Sequence, residues 1–173
     1  MKTIMNRFYH RKYLPAAKLR LSNRQWPDQE ITQAPRWTSV DLRDGNQALL
    51  EPMNVEQKKH LWNLLIKMGF KEIEVGFPAA SQADYDFVRW LIEAQQIPHD
   101  VHIQVLVQAR KELIEKTFIA LQGVARAIVH VYNSTSTIQR EHVFGMDKAG
   151  ITAIASNGAT LVKQGAEKYP ETE

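Results

Sequence analysis

Arg43 and Asp44 stand side by side in the run Ser39-Val40-Asp41-Leu42-Arg43-Asp44-Gly45-Asn46-Gln47, where an alternating apolar stretch gives way to glycine. Aspartate is a hard oxygen ligand suited to a divalent cation, and arginine is a permanent positive charge with several fixed donors. Side by side, they suit the polarisation of a carbonyl group. Asn46 and Gln47 add two neutral amides to the same short loop, and loops of that polar density usually bind something. The plainer reading of an isolated Arg-Asp-Gly is a structural ion pair or a helix-capping carboxylate.

A second set of polar residues sits inside apolar runs. Glu72 and Glu74 are two residues apart around Ile73, so on a strand they share one face, with Glu74 nearer the carboxyl end. A carboxylate facing a barrel interior is costly unless a cation such as Arg43 pairs with it. An edge strand with both glutamates in water is the alternative. His130 also lies near the end of an apolar run, followed by Tyr132 and Asn133, and is a better site candidate than His102. A buried structural histidine explains His130 equally well. His10, His60, His99 and His142 read as surface residues. No pair has the His-x-His or His-x-x-x-His spacing of a strong metal site.

The elements that must carry these groups follow from the pattern after residue 36. Short apolar runs alternate with amphipathic stretches, the signature of successive βα units, and four units can be counted. The first joins a strand at 37–42 to a helix that opens at Asn54 as N-cap, carries Val55, Leu61, Leu64, Leu65 and Met68, and ends at Gly69. The second is a strand at 71–77, stopped by Pro78, and a helix capped by Ser81 with Tyr85, Val88, Trp90, Leu91 and Ile92. The third is a strand at 101–107 and a helix with Leu113, Ile114, Phe118 and Leu121, closed by Gly123. The fourth strand covers 127–132, and a helical region runs to about Lys168. On this reading Arg43 and Asp44 project from the carboxyl end of the first strand, where chemistry sits in a βα barrel. Strand spacing of about 30 residues suits either part of a barrel or a small doubly wound sheet.

Residues 1 to about 36 are basic and aromatic, with Pro15, Pro27 and Pro35, and read as an irregular arm over a folded body. Across 173 residues, 44% hydrophobic and 24% charged, the composition is that of a soluble globular protein. A formal charge of +3 is too small and too dispersed to argue for nucleic acid or a membrane surface. The absence of cysteine excludes disulfides and thiolate metal sites. No segment approaches the roughly 20 apolar residues of a membrane span, and the first residues lack the apolar stretch of a secretory signal, so the expected address is cytoplasmic.

With these residues in view, the chain resembles the 2-isopropylmalate synthases, within the wider group of aldolase-like barrels. The likeness runs through Arg24-Gln25-Trp26-Pro27, Ile31-Thr32-Gln33-Ala34-Pro35, the Ser39 to Leu49 run, Lys71-Glu72-Ile73-Glu74-Val75-Gly76-Phe77-Pro78, Gln104-Val105-Leu106-Val107-Gln108-Ala109-Arg110 and Ala127-Ile128-Val129-His130-Val131-Tyr132-Asn133-Ser134-Thr135. It spans essentially the whole chain and points to the longer-armed branch of that family. The resemblance implies a partial TIM (β/α)8 barrel of about four units, with residues 1–36 as the arm and 37–173 as the amino-terminal half of the barrel. It implies condensation of acetyl-CoA with 3-methyl-2-oxobutanoate to 2-isopropylmalate and CoA, on the route to leucine. Asp44 is then a ligand of a divalent metal, Mg2+ or Mn2+ with Zn2+ as the alternative. Arg43 is the catalytic residue that stabilises developing negative charge. Gln47, Glu74, Leu106 and His130 line the substrate pocket, with Leu106 shaping the space for the branched tail.

Two further metal ligands of the family form a His-x-His pair on a late strand, and an asparagine ligand and a strand-five serine and glutamate join them. None of these lies within the chain, which ends at Glu173. The expectation is therefore an intact homodimeric enzyme of which this polypeptide is an inactive part, one that self-associates through two open sheet edges and an apolar inner face. A non-catalytic half-barrel interaction module is the reading from another class. Within the enzyme class, homocitrate and citramalate synthases share Arg-Asp-Gly or its glutamate variant.

Overall fold

The computed structural model describes residues 33–168. The expected arm therefore lies almost wholly outside the described residues, as does His10. The described residues from Arg36 onward form one compact unit. Its strands are β1 (Thr38–Ser39), β2 (Glu72–Gly76), β3 (His102–Gln108) and β4 (Ala127–Tyr132), and its helices are α1 (Val55–Met68), α2 (Gln82–Glu93), α3 (Lys111–Ala120) and α4 (Lys148–Lys168). A π-type turn at Asp41–Gly45 follows β1, and a second at Gln139–Phe144 precedes α4.

The four strands are parallel and lie in the order β1-β2-β3-β4. A doubly wound sheet reverses its strand order at a switch point, whereas a barrel adds each strand beside the last. Sequential order thus selects the barrel type that spacing alone left open. The helices pack in the same succession, α1 on α2, α2 on α3 and α3 on α4. The result is a four-unit arc of a TIM barrel.

Period-two alternation divides the strands between two environments. Ile73 and Val75 of β2 and Ile103, Val105 and Val107 of β3 have no solvent exposure and pack toward the helices. The main core also takes Leu42, Trp62, Leu65, Phe87, Val88 and Leu91, and a smaller cluster around Ile114 and Phe118 receives α4 through Leu161 and Val162. The opposite face carries Glu72 and Glu74, then Gln104, Leu106 and Gln108 of β3, then His130 and Tyr132 of β4, aligned by register. The apolar inner face expected from sequence is thus corrected. It is mostly polar, with Leu106 and Ile128 its apolar members, and Glu74, Gln104 and His130 hydrogen-bond one another.

Local signals explain the helix ends. Asn54 caps α1 through a reciprocal pair with Gln57, and Gly69 leaves it at φ 93°, a conformation that costs glycine little. Ser81 caps α2. The buried stripes differ in detail from expectation. On α1 the buried face is Lys58, Trp62 and Leu65, while Leu64 and Met68 are about half exposed, and on α2 Phe87 joins Val88 and Leu91. Helix α2 also ends at Glu93, before Ile97-Pro98.

The first strand is the largest departure. An extended run over residues 37–42 was expected, but pairing with β2 stops after Ser39. The amides of Arg43, Asp44 and Gly45 all converge on the Val40 carbonyl, at 3.2, 2.8 and 3.2 Å. That carbonyl is committed to the turn, and the Ser39 hydroxyl bonds Asp41 Oδ2 at 2.6 Å, so the chain winds up instead of continuing the ladder. Winding drops Leu42 into the core with no solvent exposure.

Candidate active site

The turn at the end of β1 presents Arg43 to β2. Arg43 Nε donates to Glu74 Oε2 at 2.8 Å, and its Nη2 lies 2.6 Å from the same oxygen. Glu74 has no solvent exposure and the Arg43 side chain 15%. The buried carboxylate thus has the cation that its burial requires, since an unpaired one would shed its charge or destabilise the fold. Arg43 Nη1 reaches outward, donating to Asp44 Oδ1 at 2.9 Å and to Gln47 Oε1 at 3.3 Å.

The other Glu74 oxygen faces the next two strands. Gln104 Nε2 donates to Glu74 Oε1 at 3.1 Å, and His130 Nδ1 lies 3.1 Å from that oxygen. Gln104 and His130 are themselves 3.3 Å apart. A continuous polar network therefore runs from Asp44 and Gln47 through Arg43 and Glu74 to Gln104 and His130, crossing β1 to β4. Five of the six residues singled out from sequence belong to it. Leu106, the sixth, pairs in register with His130 and sits half-buried beside the network without a polar role.

Near the amino ends of the strands lies a separate pair of contacts. Thr38 Oγ1 and Arg36 Nη1 donate to the two oxygens of Glu72 at 2.8 and 3.0 Å. Burial pushes the Glu72 carboxyl up, but those hydrogen bonds and the charges of Arg36 and His102 outweigh it and hold the group below its ordinary 4.5.

Gln104 was missed from sequence, although its position was readable: it has the inward parity of β3 and pairs in register with Glu74. Asn46 was expected among the binding groups and instead closes the connection to α1, its Oδ1 accepting from the Met53 amide at 2.6 Å. His60, His99 and His142 are exposed, as expected. Asp44, 63% exposed, offers one hard oxygen ligand. Among the described residues there is no group of three or more His, Cys, Asp or Glu that could hold a metal ion. The donors present fit the first ligand of a hard-cation site and do not complete one.

A parallel, sequentially ordered arc with its polar network beyond the carboxyl end of β1 is that of a βα-barrel fold. The chain belongs to the HMGL-like family, which matches residues 34–170. It is similar to the 2-isopropylmalate synthase of Alcanivorax borkumensis, 57% identical over 165 residues covering 95% of the chain and 30% of that relative. The 2-isopropylmalate synthase of a Parafrankia species is 61% identical over 160 residues, 92% of the chain and 28% of the relative. That of Rhodospirillum rubrum is 58% identical over 158 residues, 91% and 28%. The chain spans less than a third of the length of these relatives. No helix among the described residues is long and apolar enough to cross a membrane.

Proposed function

We propose that the chain is the amino-terminal half, residues 37–173, of the catalytic barrel of a 2-isopropylmalate synthase, preceded by an arm at 1–36. The intact protein condenses acetyl-CoA with 3-methyl-2-oxobutanoate, releasing CoA. The observation that carries this reading is the Arg43–Glu74 pair with Asp44 beside it, in a chain more than half identical to synthases of that name.

In this reading Glu74 holds the Arg43 guanidinium by one edge and leaves Nη1 directed toward Asp44 and Gln47. A substrate oxygen placed there meets a fixed donor that needs no reorganisation as negative charge develops, an effect worth about 3 kcal/mol of barrier per donor. Gln47 and His130 bind the oxo acid, and Leu106 packs against its branched tail. Asp44 supplies one ligand of a divalent cation, Mg2+, Mn2+ or Zn2+, whose other ligands come from outside the described residues. The cation contributes Lewis acidity at the keto oxygen.

Acting alone, the 173-residue chain is inactive on this reading, because its described residues hold one ligand of the metal site. It also self-associates, since among the described residues β1 and β4 are each paired on one side only. Thiol release from acetyl-CoA, with 3-methyl-2-oxobutanoate and magnesium or manganese, tests the function. Activity is expected from the intact protein and none from the chain by itself. An intact protein that turns over only a different oxo acid would overturn the substrate assignment.

A further inference from the structure

Behind the site, on the helix side of the sheet, lies a buried ion pair that the proposed reaction does not use. Lys58 of α1 is 1% exposed and shares its face with Trp62 and Leu65, four and seven residues on along the buried stripe. Its ammonium donates to the Leu42 carbonyl at 3.2 Å and pairs with Asp84 Oδ1. The other Asp84 oxygen accepts from the Phe77 amide at 2.8 Å, and the Asp84 amide rests on Ser81 Oγ at 3.4 Å. The fit is close: a Cβ added at Gly76 would lie 2.7 Å from Asp84 Cγ.

These contacts close a ring. Leu42 immediately precedes Arg43, and Phe77 lies three residues after Glu74. On the barrel side the ring is closed by Arg43 to Glu74, and on the helix side by Lys58 to Asp84. Each strand exit is therefore fixed twice, once through a side chain of the network and once through its own backbone. The backbone needs this restraint, because β1 pairs with β2 over only two residues before the turn begins.

Stability alone does not account for the pair. Withdrawing two charges from water costs several kcal/mol per ion, and a well-packed apolar pair of similar volume is often as stable or more so. An apolar pair, however, could not hold a carbonyl on one strand exit and an amide on the other. We infer that Lys58 and Asp84 are positioning residues that set the reach of Arg43 toward Glu74. The inference takes the importance of Arg43 from the proposed function, but its test reads Arg43 directly.

In the 173-residue chain, the Arg43 Nε–H, bonded to Glu74, should give a protected proton–nitrogen NMR signal, identified by its loss in Arg43→Lys. Replacing Lys58→Met together with Asp84→Asn keeps the volumes, removes both charges and leaves an acceptor for Phe77. This variant should shift the Arg43 signal and speed its exchange by at least about tenfold while the α2 and α3 amides stay protected. Lys59→Met, which removes the neighbouring charge that pairs with Glu56 and not with Asp84, should leave the signal in place. An unchanged Arg43 signal in the folded double variant would overturn the inference. So would loss of the folded state in both the double variant and Lys58→Met, which would make the pair a stability device. In the intact protein the double variant should lower kcat by about a hundredfold with little change in KM. A shifted Arg43 signal with unchanged kcat would leave the positioning intact and remove Arg43 from the chemistry.

Discussion

Glu74 is the point on which the site converges, because side chains from three other strands or turns bond its two oxygens. Oε2 is held by Arg43, and Oε1 by Gln104 and His130. Removing Arg43 leaves a fully buried carboxylate without its cation, a change that typically costs about 3 to 5 kcal/mol. Arg43→Ala should therefore lower the unfolding free energy by about 3 kcal/mol, read by urea denaturation. Asp44→Ala sits at the other extreme. Its carboxylate is largely exposed, so stability should move by less than about 0.5 kcal/mol, while calorimetry on the intact protein should show weakened binding of a divalent cation. Normal titration with metal would remove Asp44 from the ligand set. The Arg43–Glu74 contact was legible in sequence because a carboxylate between two apolar neighbours demands a cation, and Arg43 stands at the end of the preceding strand. Gln104 was harder to see, since a neutral amide inside a strand makes no such demand.

Elements carry these residues by means of short, strong local signals. Asn54 and Gln57 bond reciprocally, with both contacts at 2.9 Å, and so fix where α1 begins and hence where Lys58 points. Asn54→Ala should cost about 1 kcal/mol, measured by thermal or urea unfolding. At the opposite end of β1, Glu72 ties Thr38 and Arg36 to β2. Its folded pKa lies below the ordinary 4.5, so the stability it adds is present above that value and is lost as pH falls through the folded one. The stability difference between the native chain and Glu72→Gln should be constant near neutrality and shrink below about pH 4.5, in urea titrations carried into acid. A difference that grows in acid would reverse the assigned shift.

Strands β2 to β4 and the caps of α1 and α2 were readable because period, cap and breaker agreed at each. The run over residues 37–42 misled, because apolar alternation says nothing about which carbonyl a later turn will claim. The buried stripe of α1 was misplaced for a related reason. Counting apolar residues favoured Leu64 over Lys58, whereas the lysine is held inside by Asp84 and a carbonyl.

At the scale of the whole molecule, the described residues form an arc, not a closed wall. β1 offers only two paired residues, but β4 is six residues long and has β3 on one side alone. A strand of that length with an open edge is a template for another chain unless charge, proline or a bulge blunts it. The β4 sequence Ala-Ile-Val-His-Val-Tyr contains neither proline nor a residue permanently charged at neutral pH. Leu50, Ile138 and Val143 add exposed apolar surface, the residues being 100%, 72% and 70% exposed. The inner face, polar apart from Leu106 and Ile128, offers little apolar drive, so association should act through the edge. Light scattering on the 173-residue chain is therefore expected to give a mass above the 19.9 kDa of one copy. His130→Lys is a poor test because it strikes the site. Tyr132→Lys places a charge at the exposed end of the same strand, opposite Gln108 and away from the Glu74 hydrogen bonds, and should return the mass toward one copy. A native chain that is monomeric at all concentrations would show that the β4 edge is already covered within a single chain.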